Sequence, residues 1–419
     1  MRSFTEESNF FASVDPEELA ERFGTPLYVY NESILRDRMR SVMGMITKYP
    51  YTVNYSMKAN SNLALLKVAK EEGLNCDAMS EGELRLLQLA GFPAERIFFV
   101  PNNVSDEEMK FAADNGIMVS LDSLDQLDRY GTLFPGTECC VRINPGIGAG
   151  HHKKVITAGK HTKFAVALDD VETVHEIAKK HDLKIAGLNQ HVGSLFMQID
   201  PYVAAVKSIL DVALEFPDLK LIDFGGGIGT PYHKLTGEEA FPMQDLHDAL
   251  EPVLDEFVSA YGYAPLFKSE PGRYCVAESA VILGRVYARK SNAGVRYLGT
   301  DVGMNVLARP SLYDSWHDIE ILRNGKSITT GETEEITVTG NICESGDVLA
   351  KDRTLPVAKD GDLICVLDAG AYGYSMAYTY NTRVRPAEVL LSTNGSVRLI
   401  RRRETFEDLI ALQCDTTEF

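Results

Sequence analysis

From about residue 35 to residue 280, short β-branched or aromatic runs alternate with amphipathic helical stretches. Such an alternation is typical of consecutive βα units, in which helices cover a parallel sheet. Strands are predicted over residues 51–57, 96–100, 116–119, 138–143, 185–191, 219–224 and 266–269, and helices between them, for example over 61–72 and 81–89. This number of units is close to that of a (β/α)8 TIM-type barrel.

After about residue 280 the pattern changes to strand-like segments separated by Gly, Asn and Asp turns. Residues 332–338, 362–366 and 388–391 are rich in β-branched side chains, and only short helices are predicted, near 311–316 and 405–412. The dipeptides Asn324-Gly and Asn394-Gly and the tripeptide Lys359-Asp-Gly are typical of hairpin turns. With 419 residues, the chain is expected to form about two domains, and the second should be mostly β.

The chain is acidic, with 42 Lys and Arg against 60 Asp and Glu and a net charge of -18. This charge disfavours binding to nucleic acids and to anionic membranes. The first thirty residues contain no apolar run like that of a signal peptide, and no other stretch suits a membrane span. The seven cysteines, at positions 76, 139, 140, 275, 343, 365 and 414, lack C-x-x-C spacing, so neither a disulfide framework nor a metal site is indicated. We therefore expect a cytoplasmic enzyme.

Polar residues follow the predicted barrel strands directly, at the end where a barrel gathers its active site. Lys58 ends a run in which Val53, Tyr55 and Met57 alternate with smaller residues, and Asn60-Ser-Asn62 then offers helix caps. A lysine at a solvent-exposed strand end is the alternative when Lys58 is considered alone. The other residues that follow predicted barrel strands in this way are Asn102-Asn103, Asp122-Ser123, Asn144-Pro145, His191, Gly225-Gly226-Gly227 and Glu270.

The glycine-rich run Asp223-Phe-Gly225-Gly226-Gly227-Ile-Gly229 follows the apolar residues 219–222. Bare glycines let successive backbone N–H groups close around a phosphate. A purely structural turn is the alternative.

Three distant motifs together resemble the fold-III pyridoxal-phosphate decarboxylases and, within that group, the diaminopimelate decarboxylases. They are Tyr55-Ser-Met-Lys58-Ala-Asn60, Cys343-Glu344-Ser-Gly-Asp347 and Asp368-Ala-Gly-Ala-Tyr372-Gly. Further matching segments begin at Ser80, Asn102, Arg142, Thr157 and Arg398, so the resemblance covers almost the whole chain. It implies pyridoxal 5'-phosphate as cofactor, a barrel over residues 34–280, and a Greek-key barrel-like β domain over 1–33 plus 281–419.

The resemblance also implies a role for each matched residue. Lys58 would form a Schiff base with the cofactor, and the Cys343 thiol would return a proton to a carbanion. Glu270 would hold the pyridine nitrogen protonated, and His191 would stack on the ring. The implied cofactor-binding set is Lys58, His191, Ser194, Gly226, Gly227, Glu270, Gly272, Arg273 and Tyr372. The implied substrate-binding set is Arg273, Arg309, Tyr313, Glu344 and Tyr372. An exposed turn, a core histidine and a surface salt bridge are the alternatives for Glu270, His191 and Arg309 taken singly.

The segment from Met304 to Tyr313 discriminates among the decarboxylases, because Arg309 and Tyr313 can bind a second carboxylate with a planar fork and a hydroxyl. The resemblance therefore implies conversion of meso-2,6-diaminopimelate to L-lysine and carbon dioxide. It also implies a homodimer in which Cys343 reaches the partner's barrel. Departures from the family pattern at Asn189, Leu195 and Tyr378 bear on the pocket wall.

Three alternatives remain at this point. The first is a decarboxylase of ornithine, arginine or a carboxylated polyamine, for which a second carboxylate clamp would be redundant. The second is an amino-acid racemase with the same two domains. The third is a non-enzymatic pyridoxal-phosphate-binding barrel, which should lack the domain after residue 280.

Overall fold

A computed structural model describes residues 1–146, 149–150 and 163–413. It forms two compact units. The barrel unit comprises Arg36–Thr230 and Ala240–Cys275, and the β unit comprises Met1–Leu35, Pro231–Glu239 and Val276–Phe419. The sequence pattern did not separate residues 231–239 from the barrel. Cys414 and most of the matching segment that begins at Thr157 lie outside the described residues.

The barrel unit is built on a closed parallel barrel of eight strands. In chain order these are Tyr51–Ser56, Asn75–Ala78, Ile97–Phe99, Met118–Leu121, Glu138–Arg142, Lys184–Asn189, Leu221–Asp223 and Leu266–Ser269. Each of the seven predicted strands overlaps one of them. The strand that the sequence did not predict is Asn75–Ala78, because Asn-Cys-Asp-Ala contains no β-branched or aromatic residue.

A helix follows each of the first seven barrel strands, as the alternating pattern predicts. These helices are Leu63–Glu71, Glu81–Ala90, Asp106–Asp114, Leu124–Leu133, Val171–His181, Asp200–Ala213 and Met243–Tyr261, and the helix Glu32–Met43 precedes the first strand. The side chain of Asn62 accepts a hydrogen bond from the backbone N of Ala64 at 2.9 Å, which caps the helix Leu63–Glu71. This cap starts the helix soon after the first strand and keeps Lys58 in the short connection at the strand's carboxyl end.

The β unit is built on a ten-stranded sheet within the described residues. Its main path runs Lys326–Ser327, Ile319–Arg323, Leu363–Val366, Ala280–Asn292, Leu27–Asn31, Ala387–Leu391 and Val397–Arg401, and Val295–Thr300, Thr333–Thr339 and Val348–Pro356 branch from it. The N-terminal strand Leu27–Asn31 pairs antiparallel with Ala280–Asn292 and parallel with Ala387–Leu391. The N-terminal segment therefore joins the C-terminal sheet, as the family resemblance implied.

Two of the three predicted hairpin turns connect paired antiparallel strands. Asn324-Gly joins Ile319–Arg323 to Lys326–Ser327, and Asn394-Gly joins Ala387–Leu391 to Val397–Arg401. The prediction for Lys359-Asp-Gly is wrong in this respect. The strands on either side of that turn pair with other strands of the sheet, so it is a turn without a hairpin.

The short helices predicted near 311–316 and 405–412 correspond to Arg309–Tyr313 and Phe406–Ile410, and the β unit also has the helices Phe4–Glu7 and Pro16–Phe23, which were not predicted. Phe10, Leu27, Val29, Leu283 and Val389 belong to the buried apolar cluster on its sheet. The predicted fold class, an α/β barrel with a mostly β second domain, is confirmed. Across the part of the chain that the structure describes, no helix is both long enough and apolar enough to cross a membrane.

Candidate active site

Lys58 lies in the short 3-10 turn Met57–Ala59, directly after the first barrel strand. Burial raises the pKa of the carboxyl groups of Asp77, Glu83 and Glu270, and the nearby positive charge of Lys58 opposes each rise. Asp77 also accepts a hydrogen bond from Oγ of Ser56 at 2.8 Å. The amine of Lys58 therefore lies near three acidic groups at the carboxyl end of the barrel. Sequence reasoning missed Asp77 because it missed the strand that carries it.

Glu270 follows the last barrel strand and is only 3% exposed, so it does not lie in an exposed turn. Its backbone N donates to O of Gly225 at 3.0 Å. Its Oε1 is buried and has no hydrogen-bond partner among the described residues. Burial raises the pKa of Glu270, and the positive charges of Lys58, Arg142 and Lys268 oppose that rise. A buried carboxylate oxygen without a donor is costly unless a ligand supplies one.

The glycine-rich run packs its backbone against two other strand ends. A Cβ atom on Gly226 would lie 2.0 Å from O of Glu270, and one on Gly225 would lie 2.2 Å from O of Gln190. The carboxylate of Asp223 holds this turn by accepting from the backbone N of Gly225 at 2.8 Å. Only glycine fits this close approach of backbones.

His191 is held next to the glycine-rich run. Its Nδ1 accepts a hydrogen bond from the backbone N of Gly226 at 3.2 Å, so Nδ1 carries no proton. Burial lowers the pKa of His191 well below its ordinary value, and the positive charges of Lys58 and Arg142 lower it further. The ring is therefore neutral near pH 7, and a flat neutral ring suits stacking on another aromatic ring.

Arg273 begins the short helix after Glu270 and is buried. Its Nη2 donates to Oγ of Ser194 at 2.9 Å. Gly272, the residue before Arg273, lies so close to the first barrel strand that a Cβ atom on it would be 2.9 Å from O of Ser56. These contacts bring Ser194, Gly272 and Arg273 to the barrel end that carries Lys58.

In the β unit, Arg309 begins the short helix Arg309–Tyr313 and is 1% exposed. Its Nη1 lies 2.6 Å from Nε2 of His317, and its guanidinium carbon lies 4.6 Å from the ring centroid of Tyr232. The alternative of a surface salt bridge is therefore wrong for Arg309. Tyr313, at the other end of the helix, is half-buried. His317 and Tyr232 were not predicted, because neither lies in a periodic or motif-like pattern.

Cys343 and Glu344 lie on an exposed loop whose backbone is fixed by two side chains. Asp347 accepts hydrogen bonds from the backbone N of Met304 at 2.6 Å and of Ile342 at 2.7 Å. Asn381 accepts from the backbone N of Cys343 at 2.7 Å. Among the six cysteines in the described ranges, Cys343 alone is exposed. The loop thus presents a thiol and a carboxylate side by side at the surface of the chain.

Tyr372 lies on a tight loop after the strand Leu363–Val366 and has a left-handed φ of 56°. Asp368, at the start of the loop, accepts from Nζ of Lys234 at 2.7 Å, and Lys234 also donates to Glu278 at 2.8 Å. Burial raises the pKa of Asp368 to about 7, although the positive charge of Lys234 opposes the rise. This buried ion triad anchors the loop that carries Tyr372.

The comparisons with known proteins agree with this arrangement. The family model described as "Pyridoxal-dependent decarboxylase, pyridoxal binding domain" matches residues 33–277. The diaminopimelate decarboxylase of Methanothermobacter thermautotrophicus is 38% identical over 408 residues, covering 94% of this chain and 93% of the relative. The chain belongs to the diaminopimelate decarboxylase family.

Two solved structures of this family are similar over nearly the whole chain. The diaminopimelate decarboxylase of Helicobacter pylori, complexed with L-lysine, has a TM-score of 0.85 and 32% identity, covering 95% of this chain and 98% of that one. That of M. jannaschii, in co-complex with L-lysine, has a TM-score of 0.87 and 31% identity, covering 95% and 94%.

The family's cofactor is pyridoxal phosphate, and the barrel residues fit it. The Oε1 of Glu270, which has no hydrogen-bond partner among the residues that the structure describes, can accept a hydrogen bond from the N–H of a protonated pyridine ring. Lys58 is an amine at the same barrel end, and His191 is a neutral ring. In the described residues, no group of three or more His, Cys, Asp or Glu side chains could hold a metal ion.

Of the positions at which this member of the diaminopimelate decarboxylase family departs from the usual pattern, Asn189 is the most deeply placed. Its Oδ1 accepts from Oγ of Ser120 at 2.7 Å inside the barrel. Leu195 has a left-handed φ of 63°, and Tyr378 is half-buried in the β unit. Whether these three side chains alter the pocket stays a prediction.

Proposed function

We propose that this chain removes carbon dioxide from meso-2,6-diaminopimelate and releases L-lysine, the last step of the diaminopimelate route to lysine. The observation that carries the proposal is the buried guanidinium of Arg309, on one short helix with Tyr313. A guanidinium can bind a carboxylate with paired hydrogen bonds, and a tyrosine hydroxyl on the same helix can add another. A substrate with a second carboxylate suits such a pair of side chains. Similarity to curated diaminopimelate decarboxylases over nearly the whole chain supports the same substrate.

Pyridoxal phosphate, when bound, supplies an aldehyde that combines with amines and a ring that accepts the electron pair left by a departing carboxylate. The residues proposed to hold it are Lys58, His191, Ser194, Gly226, Gly227, Glu270, Gly272, Arg273 and Tyr372. Within this set, the carboxylate of Glu270 would accept a hydrogen bond from the protonated ring nitrogen and would keep that nitrogen protonated. His191 stays neutral, so it adds no positive charge against the pyridinium ring.

The substrate's second amino-acid end is proposed to bind Arg273, Arg309, Tyr313, Glu344 and Tyr372. Arginine binds carboxylates with two parallel hydrogen bonds, which fixes orientation as well as affinity. Glu344 is suited to the distal ammonium because it is an exposed carboxylate. A substrate that lacks the second carboxylate would forgo these charge-assisted hydrogen bonds, which disfavours it.

Cys343 is proposed to return a proton from its Sγ after carbon dioxide leaves, in the barrel of the partner subunit. The exposed loop that carries Cys343 and Glu344 is fixed by Asp347 and Asn381, as a loop that serves a neighbouring chain should be. The functional form is then a homodimer with two shared sites. We also propose a cytoplasmic location, because an exposed free thiol persists where thiols are kept reduced.

A substrate panel tests the proposal. The protein with pyridoxal phosphate is incubated separately with meso-diaminopimelate, ornithine, arginine and D-lysine, and carbon dioxide and the amine product are measured. We expect meso-diaminopimelate to be preferred by about 100-fold or more in kcat/KM and to yield L-lysine. Faster release from ornithine or arginine would instead support the diamine-forming alternative. Loss of optical activity without carbon dioxide would support a racemase.

A further inference from the structure

Arg309 is held from two directions by side chains of the β unit. His317, which is 0% exposed, places its Nε2 2.6 Å from Nη1 of Arg309. The ring of Tyr232 lies under the guanidinium, with 4.6 Å between the ring centroid and the guanidinium carbon. The same tyrosine ring meets the ring of His317 edge to face, with centroids 5.1 Å apart. One contact fixes an edge of the guanidinium and the other fixes its plane.

The hydrogen bonds of His317 determine where its proton lies. A guanidinium can only donate, so Nε2 of His317 must accept and carries no proton. Nδ1 then bears the proton and donates to the backbone O of Leu367 at 2.7 Å. The backbone N of Leu367 in turn donates to O of Asp318 at 2.9 Å. His317 is thereby tied to the end of a strand pair, since Ile319–Arg323 and Leu363–Val366 are antiparallel neighbours.

We infer that His317 is a positioning residue for Arg309, which fixes the guanidinium so that the distal carboxylate of the substrate meets a preset fork. The inference rests on the proposed function, in which Arg309 binds that carboxylate. An arginine side chain has several rotatable bonds, and holding it in one orientation before binding reduces the entropy lost on binding. His317 itself touches neither the substrate nor the cofactor in this proposal.

The test compares two ligands that differ in the carboxylate. L-lysine carries it, and cadaverine is the same diamine chain without it. Affinities of the cofactor-loaded enzyme for both are measured by calorimetry. His317→Leu should lower the affinity for L-lysine by about tenfold or more, because a hydrogen bond to a charged group is lost. The affinity for cadaverine should not change. His317→Gln, whose amide can both accept from Arg309 and donate to Leu367, should keep most of the preference for L-lysine.

Two controls separate positioning from general damage. His233→Gln removes a neighbouring histidine whose ring stacks on Trp316, and it should leave both affinities unchanged. Should His317→Leu not fold, His317→Met takes its place, because a thioether fills similar space and is only a weak acceptor. Equal weakening of L-lysine and cadaverine in the Leu or Met variant would overturn the inference.

A double-mutant cycle decides whether His317 acts through Arg309. Arg309→Lys alone should lower the affinity for L-lysine. Adding His317→Leu to that variant should change this affinity by less than about twofold, the usual error of additivity. If the effects of the two substitutions on the affinity add in full, the inference is overturned. If Arg309→Lys leaves the preference for L-lysine intact, the proposed function of Arg309 fails. If Arg309→Lys lowers the affinity for L-lysine and His317→Leu does not, only the positioning role of His317 fails.

Discussion

At the scale of single residues, the barrel end combines the amine of Lys58 with acidic side chains. Lys58 lies among Asp77, Glu83 and Glu270, whose raised pKa values result from burial. The family resemblance implied Lys58 and Glu270, and both lie just after strands that the sequence predicted. Asp77 and His317 were not predictable in the same way. Asp77 lies on a strand without a propensity signal, and His317 is defined by its contact with Arg309, eight residues earlier, which no local pattern indicates.

Replacing Lys58 tests its role at the cofactor. The cofactor-loaded wild type, reduced with borohydride and digested, should show the mass of the cofactor on the peptide that contains Lys58. Lys58→Ala should show no such adduct and no release of carbon dioxide. Lys67→Ala, which removes an exposed lysine from the following helix, should behave as wild type. An adduct retained on the Lys58→Ala chain would place the reactive amine elsewhere.

His191 predicts an acid sensitivity of the fold. Its pKa in the folded state is well below the ordinary 6.5, so below about pH 6.5 the unfolded chain binds a proton that the folded chain does not. The contribution of neutral His191 to the stability of the fold is therefore complete above about pH 6.5 and is lost as pH falls. Between about pH 6.5 and pH 5 the loss should reach up to about 2 kcal/mol. The free energy of unfolding is measured against pH for the cofactor-free wild type and for His191→Gln. As pH falls through this range, the variant should become more stable relative to wild type. If the two curves of unfolding free energy against pH run parallel, the argument is contradicted.

At the scale of elements, the sequence predicted structure wherever local patterns and pairing coincide. Leu27–Asn31 and the Asn324-Gly hairpin are such cases. The Lys359-Asp-Gly turn shows the limit, because a turn signal does not say which strand lies alongside. Pro231–Glu239 is a second case, since it belongs to the β unit through contacts such as that of Lys234 with Asp368, and long-range contacts leave no mark in the local sequence.

The ion triad of Lys234, Glu278 and Asp368 should be a strong determinant of stability. Lys234→Met leaves two buried carboxyl groups without their cation, which should destabilise the fold by about 3–5 kcal/mol. Lys220→Met breaks an ion pair with Glu138 in which the lysine is 63% exposed, and it should cost no more than about 1 kcal/mol. Chemical denaturation of both variants against wild type measures the difference. Equal, small effects would mean that the triad does not anchor the loop of Tyr372.

At the scale of the whole molecule, the predicted functional residues are divided between the two units. The barrel unit carries Lys58, His191 and Glu270, and the β unit carries Arg309, Cys343 and Tyr372. The family resemblance could predict this division because its motifs are distant in sequence. Composition and periodicity alone could not predict this division, since neither of them indicates that a barrel strand end and an exposed loop of the β unit serve the same function.

A homodimer with shared sites makes a quantitative prediction for mixtures of inactive variants. Lys58→Ala and Cys343→Ala, mixed in equal amounts and allowed to exchange subunits, should recover about a quarter of wild-type activity, because half of the dimers are mixed and each mixed dimer has one intact site. Native mass spectrometry of differently tagged chains verifies the exchange. Lys58→Ala mixed with Glu270→Ala is the matched control and should stay inactive, because both changes lie in the barrel and every mixed site keeps one of them. If the first mixture stays as inactive as the control after verified exchange, each chain must use its own Cys343, and the shared-site proposal is wrong.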